Sequence, residues 1–214
     1  MLEVLIFDWH GTLGDIRGYN PRKGIRKKYG VPKELYDRMN LDLFVAPCID
    51  APYIEDRLCK IIKVPATREN VHYILRGLTK KQSFNTYDEA LEIIPAIRSE
   101  FHLKLALLSN IDAITLDSLT HNPVYEAFFK KYFDKLFFSC QYGLCKPDLR
   151  FFHMALDGLN VSAEKTMMIG DKEENDIQPA QRIGMRTFKV KMKNRASDDK
   201  TLKDLPDFIY SNVI

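Results

Sequence analysis

Four stretches of the 214-residue sequence set reactive side chains beside apolar runs. Val4-Leu5-Ile6-Phe7 leads into Asp8, with Gly11 and Thr12 just beyond; Leu103 to Leu108 leads into Ser109-Asn110; Thr166 to Ile169 leads into Gly170-Asp171, with Asp176 close behind. The fourth, Gly143-Leu144-Cys145-Lys146-Pro147-Asp148, holds a single lysine before a proline. A carboxylate at the end of a buried strand is costly unless its charge is compensated. Carboxylates crowded together repel one another unless a cation sits between them, so Asp8, Asp171 and Asp176 point to a hard, oxygen-liking ion. Mg2+ is the choice for a site that also handles phosphate. Ser109, Asn110 and Thr12 add hydroxyl and amide groups. Lys146 adds an ammonium presented from a loop, because Pro147 biases the residue before it toward extended backbone. Gly11 allows close backbone approach or positive φ. A plainer account of Gly170 to Asp176, a helix N-terminus rich in acids, explains Glu173 and Glu174 but not why Asp171 directly follows a buried strand.

For these groups to meet, the apolar runs must be parallel strands of one sheet, whose carboxyl ends share an edge. Residues 2 to 8, 103 to 108, 135 to 139, 166 to 169 and 186 to 190 read as strands, with Asp207 to Tyr210 as a last edge strand. Helical patterns fall between them: a Pro95-initiated short helix, one or two over 112 to 132, and others over 148 to 158 and 176 to 183. This alternation predicts an α/β fold, a doubly wound and mainly parallel sheet covered on both faces. Residues 16 to 86 differ in kind. Asn20-Pro21 caps a helix that Gly30 stops, Pro32 opens a second over 33 to 45, Pro52 a third, and Pro65-Ala66-Thr67 a fourth, with no convincing strand among them. The division is therefore residues 1–15 plus 87–214 as the α/β core and 16–86 as an inserted helical domain.

The apolar fraction of 45% and charged fraction of 29% describe a globular chain. No stretch approaches the ~18 uninterrupted apolar residues of a membrane span, and the N-terminus enters the first strand too soon for a signal peptide, so a cytoplasmic location is expected. Cys48, Cys59, Cys140 and Cys145 lack both a disulfide framework and zinc spacing, and read as reduced thiols. The net charge of +3 hides an uneven split. Residues 16 to 86 hold 15 Lys/Arg against 7 Asp/Glu, while the remainder holds 17 against 22. The polar run Lys191 to Lys200 reads as a mobile loop.

In this order and spacing, Phe7-Asp8-Trp9-His10-Gly11-Thr12-Leu13, Leu107-Leu108-Ser109-Asn110, Lys146-Pro147-Asp148 and Gly170-Asp171 through Asp176 resemble the four motifs of the haloacid dehalogenase-like hydrolase superfamily. The likeness is to its branch with a helical cap after the first strand, and it covers nearly the whole chain. It implies a Mg2+-dependent phosphomonoesterase acting on small phosphorylated metabolites, with Asp8 as the nucleophile that forms an aspartyl-phosphate. Mg2+ would be held by Asp8, Asp171 and the backbone carbonyl of His10, with Asp176 in support. Ser109, the amide of Asn110 and Thr12 would contact substrate, and Lys146 would offset charge on nucleophile and phosphate together. The insert would act as a lid with hinges near Asp15 to Gly18 and Gln82 to Thr86.

His10 stands where phosphatases of that family usually carry a second Asp as general acid and base. An unperturbed imidazole, with pKa about 6.5, can donate and accept protons near neutrality. The departure keeps other readings in view. The Asp8-Trp9 pair resembles the phosphonoacetaldehyde-cleaving branch, which needs a cap lysine from among Lys23, Lys27, Lys28, Lys33, Lys60 and Lys63. Dehalogenases do not use Mg2+, so the acidic motif argues against them. A non-catalytic anion- or nucleic-acid-binding protein would use Arg22, Lys23, Arg26, Lys27 and Lys28 beside Tyr19 and Tyr29. That run reads more plainly as a solvated helix face or as steering for an anionic substrate. The expected partner is thus a small phosphorylated substrate, with no membrane, nucleic acid not favoured, and a monomer or homodimer.

Overall fold

The computed structural model describes residues 1–17, 20–80, 83–192 and 199–213. Five strands, β1 (Val4–Phe7), β4 (Lys104–Ser109), β5 (Lys135–Phe138), β6 (Thr166–Gly170) and β7 (Arg186–Lys189), form one sheet in the order β5-β4-β1-β6-β7. Every pairing in it is parallel. β1 lies at the centre because its four residues are all apolar and all buried, as a strand covered on both faces requires. Side chains alternate across the sheet. Leu5 and Phe7 join Leu105, Leu107, Met167 and Ile169 on one face, while Val4 and Ile6 join Ala106, Leu108 and Met168 on the other. The helix Leu149–Leu159 covers the second face with Phe151, Phe152 and Ala155.

The remaining two strands correct the expectation that residues 16 to 86 hold none. β2 (Gly14–Arg17) and β3 (Ser83–Thr86) pair antiparallel, Ile16 opposite Phe84, so the 15/16 boundary falls inside a two-stranded ribbon and the 86/87 boundary at its end. Phe84 stacks on Trp9 at 5.5 Å between ring centroids, which ties the ribbon to the end of β1. Gly14 has no room for a side chain, since a Cβ would lie 2.4 Å from the Asn85 carbonyl oxygen and 2.9 Å from Trp9 Nε1. Of the hinge segments, Gly18 and Gln82 lie outside the described residues, as does Tyr19.

Between the ribbon strands, α1 (Pro21–Tyr29) starts at Asn20, whose side chain accepts from the Lys23 N–H, and stops at Gly30 in left-handed geometry. α2 (Lys33–Val45) follows, then a helix that begins at Ala51–Tyr53, widens to π geometry over Ile54–Leu58 and closes over Cys59–Ile62. Arg68–Leu78, capped by Thr67, completes the set. These helices enclose their own apolar cluster, with Ile25, Met39, Leu43, Ile54, Leu58 and Ile74 at its centre.

Two elements depart from the sequence reading. Pro95 sits inside the helix Asp88–Glu100 rather than at its start, because Ala90, Ile93, Ile94 and Ile97 all bury on one side and outweigh the missing backbone donor. Asp207 to Tyr210 belongs to a helix, Leu205–Val213, and not to an edge strand. Thr201 and Asp204 form a reciprocal cap ahead of it, and Leu202, Leu205 and Ile209 bury at helical spacing. The run Lys191 to Lys200 is described only at its ends, residues 193 to 198 lying outside the described set.

Candidate active site

The carboxyl ends of β1, β4 and β6 bring the expected residues to one edge of the sheet. Asp8 follows β1 while its backbone N–H still donates to the Ile169 carbonyl at 2.8 Å, so its carboxylate is projected from a position fixed by the sheet. Asp8, Asp171 and Asp176 each offer a carboxylate oxygen within 4.8 Å of the other two. Lys146 Nζ closes the group, 2.7 Å from Asp8 Oδ1 and 2.6 Å from Asp176 Oδ1, with 2% of its side chain exposed.

The loop that carries Lys146 is held by a reciprocal pair. Asn110 Nδ2 donates to the Lys146 carbonyl and the Lys146 N–H donates to Asn110 Oδ1, both at 2.8 Å. This changes the part played by Asn110, whose side-chain amide is engaged in placing Lys146 and leaves only the backbone for a substrate. Ser139 Oγ bonds both the N–H and the carbonyl of Ile111 at 3.0 Å, fixing the turn just after Ser109-Asn110. Ser109 is buried and lines the cleft.

Two glycines leave room for the acids. A Cβ on Gly11, whose φ is +96°, would lie 2.4 Å from Asp171 Oδ2, and one on Gly170 would lie 2.5 Å from Asp176 Cβ. Asp176 Oδ2 accepts from the Lys172 N–H at 3.0 Å. Asp171 Oδ1 is buried with no hydrogen-bond partner. Burial pushes the carboxyls of Asp171 and Asp176 above their ordinary value, with Asp176 adding to the shift of Asp171 and Asp8 to that of Asp176, against the opposing pull of Lys172 and Lys146. Burial alone would lower the ammonium pKa of Lys146, but Asp176 and Asp8 outweigh it and the net shift is upward. A buried carboxylate oxygen without a hydrogen bond, in a set of hard oxygen donors of which Asp171 and Asp176 resist ionisation, fits a divalent cation such as Mg2+.

Asp8, Ser109, Asn110, Lys146 and Asp176 floor a cleft of about 490 Å3, which Asp171 does not line and to whose other walls both the helical segment and residues 111 to 115 of the core contribute. His10 sits at the mouth and is exposed. Partial desolvation and then the Lys172 ammonium hold its imidazole below the ordinary value, against the pull of Asp8 and Asp171. Thr12 is a correction. Its side chain is fully buried outside the cleft lining and its hydroxyl has no hydrogen-bond partner, so it is not placed to touch a substrate. Trp9 packs edge-on against Phe129 as well as on Phe84, while lining the cleft with its buried Nε1 free of any hydrogen-bond partner.

The sequence reading missed the upper wall. Arg22 turns into the cleft from α1 and pairs with Asp112, while Tyr36, Asn40 and Phe44 reach it from α2. Asp112 carried a readable signal as a helix cap three residues before Thr115. Arg22 was hidden in a run of basic residues that resembles a solvated face.

A family model described as haloacid dehalogenase-like hydrolase matches residues 2–184. The glyceraldehyde 3-phosphate phosphatase of Methanocaldococcus jannaschii is 36% identical over 81 residues, covering 38% of this chain and 32% of that protein. The phosphoserine phosphatase of Thermus thermophilus is 29% identical over 126 residues, covering 59% of this chain and 49% of that protein. The chain thus spans about a third to a half of the length of these curated relatives. In fold, it resembles a HAD family enzyme from Bacteroides thetaiotaomicron in complex with magnesium and inorganic phosphate, at TM-score 0.64 and 19% identity over 92% of this chain and 98% of that one.

Proposed function

Since this chain belongs to the haloacid dehalogenase-like hydrolase family, we propose that it is a Mg2+-dependent phosphomonoesterase of small phosphorylated metabolites, working in the cytoplasm through an aspartyl-phosphate on Asp8. The observation that carries this reading is the convergence of Asp8, Asp171 and Asp176 within 4.8 Å, with Lys146 bridging two of them. Mg2+ held by Asp8 and Asp171, with the His10 carbonyl and Asp176 in support, would neutralise phosphoryl oxygens and ease the approach of an anionic substrate to Asp8.

The chain's own groups do the rest. An Asp8 carboxylate oxygen bonds to phosphorus as the bond to the leaving oxygen breaks, and the leaving oxygen takes up a proton. Water then attacks phosphorus, the bond to Asp8 breaks, and inorganic phosphate departs with Asp8 restored. Lys146 holds Asp8 in place and balances charge on the phosphoryl group; Ser109 and the Asn110 backbone N–H bind its oxygens. His10, at the mouth, hands a proton to the leaving oxygen and accepts one from water. The helices over 16–86 exclude bulk water from above.

Both lysines in the cleft lining, Lys146 and Lys172, come from the core side, which counts against phosphonate cleavage through a cap lysine. The test is Mg2+-dependent, fluoride-sensitive release of phosphate from an aryl phosphate, abolished in Asp8→Asn. Salt-dependent nucleic-acid binding without turnover overturns the reading.

A further inference from the structure

Building on the phosphomonoesterase reading, we propose that Arg22 recognises a carboxylate on the leaving-group side of the substrate, so that the preferred substrates are small phosphorylated hydroxy acids. Arg22 enters the cleft from α1, and its guanidinium lies 4.4 Å from the centroid of the Phe44 ring. Its Nη2 donates to Asp112 Oδ2, its sole hydrogen bond among the described residues. A guanidinium has five N–H donors in a rigid plane and stays charged at any working pH. With Phe44 against its face and Asp112 at one corner, the plane is fixed and donors are left over in the cleft. Such a fork matches the two oxygens of a carboxylate.

Asp112 does not compete for mobility. Its Oδ1 accepts from the Thr115 N–H at 2.9 Å and its Oδ2 from the Thr115 hydroxyl at 2.8 Å, which binds it to the first turn of the helix Ala113–Thr120. It acts as a positioning residue for Arg22. Its negative charge beside the fork also disfavours a doubly charged phosphate there more than a singly charged carboxylate. Besides Lys146, the other lysine of the cleft lining, Lys172, comes from the core side and has its Nζ 3.7 Å from Asp171 Oδ1.

Asn40 adds a second element of recognition. It lines the same cleft from α2, and its Oδ1 is buried without a hydrogen-bond partner. A buried acceptor of this kind costs free energy until a donor arrives. A hydroxyl on the carbon next to the carboxylate supplies one.

A matched pair of ligands isolates the carboxylate. 3-Phosphoglycerate and glycerol 3-phosphate share a three-carbon skeleton, a phosphate and a central hydroxyl, and differ in a carboxylate against a hydroxymethyl group. Binding is measured by titration calorimetry on the full chain carrying Asp8→Asn, with Mg2+ present. 3-Phosphoglycerate should bind at least about tenfold more tightly. That preference should vanish when Arg22→Gln is added and shrink with Arg22→Lys, which keeps the charge but loses the fork. Affinity for inorganic phosphate should stay within about threefold in both, because the described partners of Arg22, Asp112 and Phe44, are not among the groups assigned to the phosphate. Equal affinity for the pair, or a preference that survives Arg22→Gln, overturns the proposal; so does an equal loss for both ligands and for phosphate, which would make Arg22 only a clasp between α1 and the core. If Arg22→Gln does not fold, Arg22→Lys decides by the same ratio. Turnover is read separately on the wild-type chain. No phosphate release from any ligand, with the binding preference intact, removes the phosphomonoesterase reading and leaves the role of Arg22 standing.

Discussion

Lys146 Nζ and Asp176 Oδ1 lie 2.6 Å apart with 2% and 1% of their side chains exposed, and the same ammonium reaches Asp8 on its other side. Removing one partner of a buried ion pair leaves an uncompensated charge and costs about 3–5 kcal/mol. Lys146→Met leaves two such charges next to Asp171. Without divalent cation, its thermal midpoint should fall by roughly 10 °C, taking about 2–4 °C per kcal/mol for a chain of this size. Saturating Mg2+ should raise the midpoint more in the variant than in the wild type, since the ion takes over part of the charge balance. Thermal unfolding in EDTA and in Mg2+ reads both effects; equal Mg2+ increments would place Lys146 outside the metal's electrostatic reach.

Asp171 behaves oppositely. Its carboxyl is held above its ordinary 3.8, mainly by burial. A carboxyl with a raised folded-state pKa binds its proton more tightly when folded, so its ionisation opposes folding. That cost is absent below the unfolded value and grows as pH rises from there through the folded value. Asp171→Asn should therefore raise the metal-free midpoint at pH 7 by a few degrees, about 1 kcal/mol, and leave it unchanged at pH below 3.8. The same variant should lose the stabilisation by Mg2+. A lower metal-free midpoint at pH 7 would mean that the attraction of Lys172, 3.7 Å from Asp171 Oδ1, outweighs the cost of burial.

How far the sequence revealed this arrangement depended on the range of the interactions. Asp8, Asp171 and Lys146 were readable because each is marked locally, by a buried strand or by a proline, and because parallel strands must deliver their ends to one edge. The helices of the inserted segment were equally readable, since Asn20, Gly30, Pro32 and Thr67 carry their own start and stop signals. The β2–β3 ribbon was not. Ile16 and Phe84 pair across nearly seventy intervening residues, and neither strand is long enough to show its period alone. The closing helix had a local signal, Thr201 and Asp204 ahead of Leu205 and Ile209, that was outweighed by the short apolar run over Asp207 to Tyr210. Arg22 illustrates the harder limit. Which of several basic residues on one helix turns inward depends on Phe44 and Asp112, which are distant in sequence.

The four thiols should separate by burial. Cys48 is exposed, whereas Cys59, Cys140 and Cys145 are buried. Burial pushes Cys140 and Cys145 up to about 11, with Asp112 and Asp148 adding to the respective shifts, and raises Cys59 as well. Since the thiolate is the reactive form, one thiol should react promptly with a disulfide reagent at pH 8 in the native protein and all four in denaturant. Prompt loss of more than one native thiol would show that the core opens readily around Cys140 or Cys145.

His10 offers the sharpest test of the chemistry, because it lines the cleft two positions after Asp8 and is open to solvent at the mouth. If its imidazole moves protons for the leaving group and for water, any replacement that cannot do so should lower kcat by about 10²- to 10⁴-fold. His10→Asn should show that loss on alkyl phosphates, whose leaving oxygen needs a proton. It should show much less on aryl phosphates, whose leaving group departs unprotonated. His10→Asp separates a histidine that limits turnover from one that carries it. A gain in kcat on alkyl phosphates means that the native histidine limits turnover; a loss means that the surroundings, with Asp8 and Asp171 close by, are matched to an imidazole. The expected outcome is a loss of about tenfold or more. An aspartate here would place a further negative charge near Asp8 and Asp171, beside a carboxyl that burial already holds above its ordinary value.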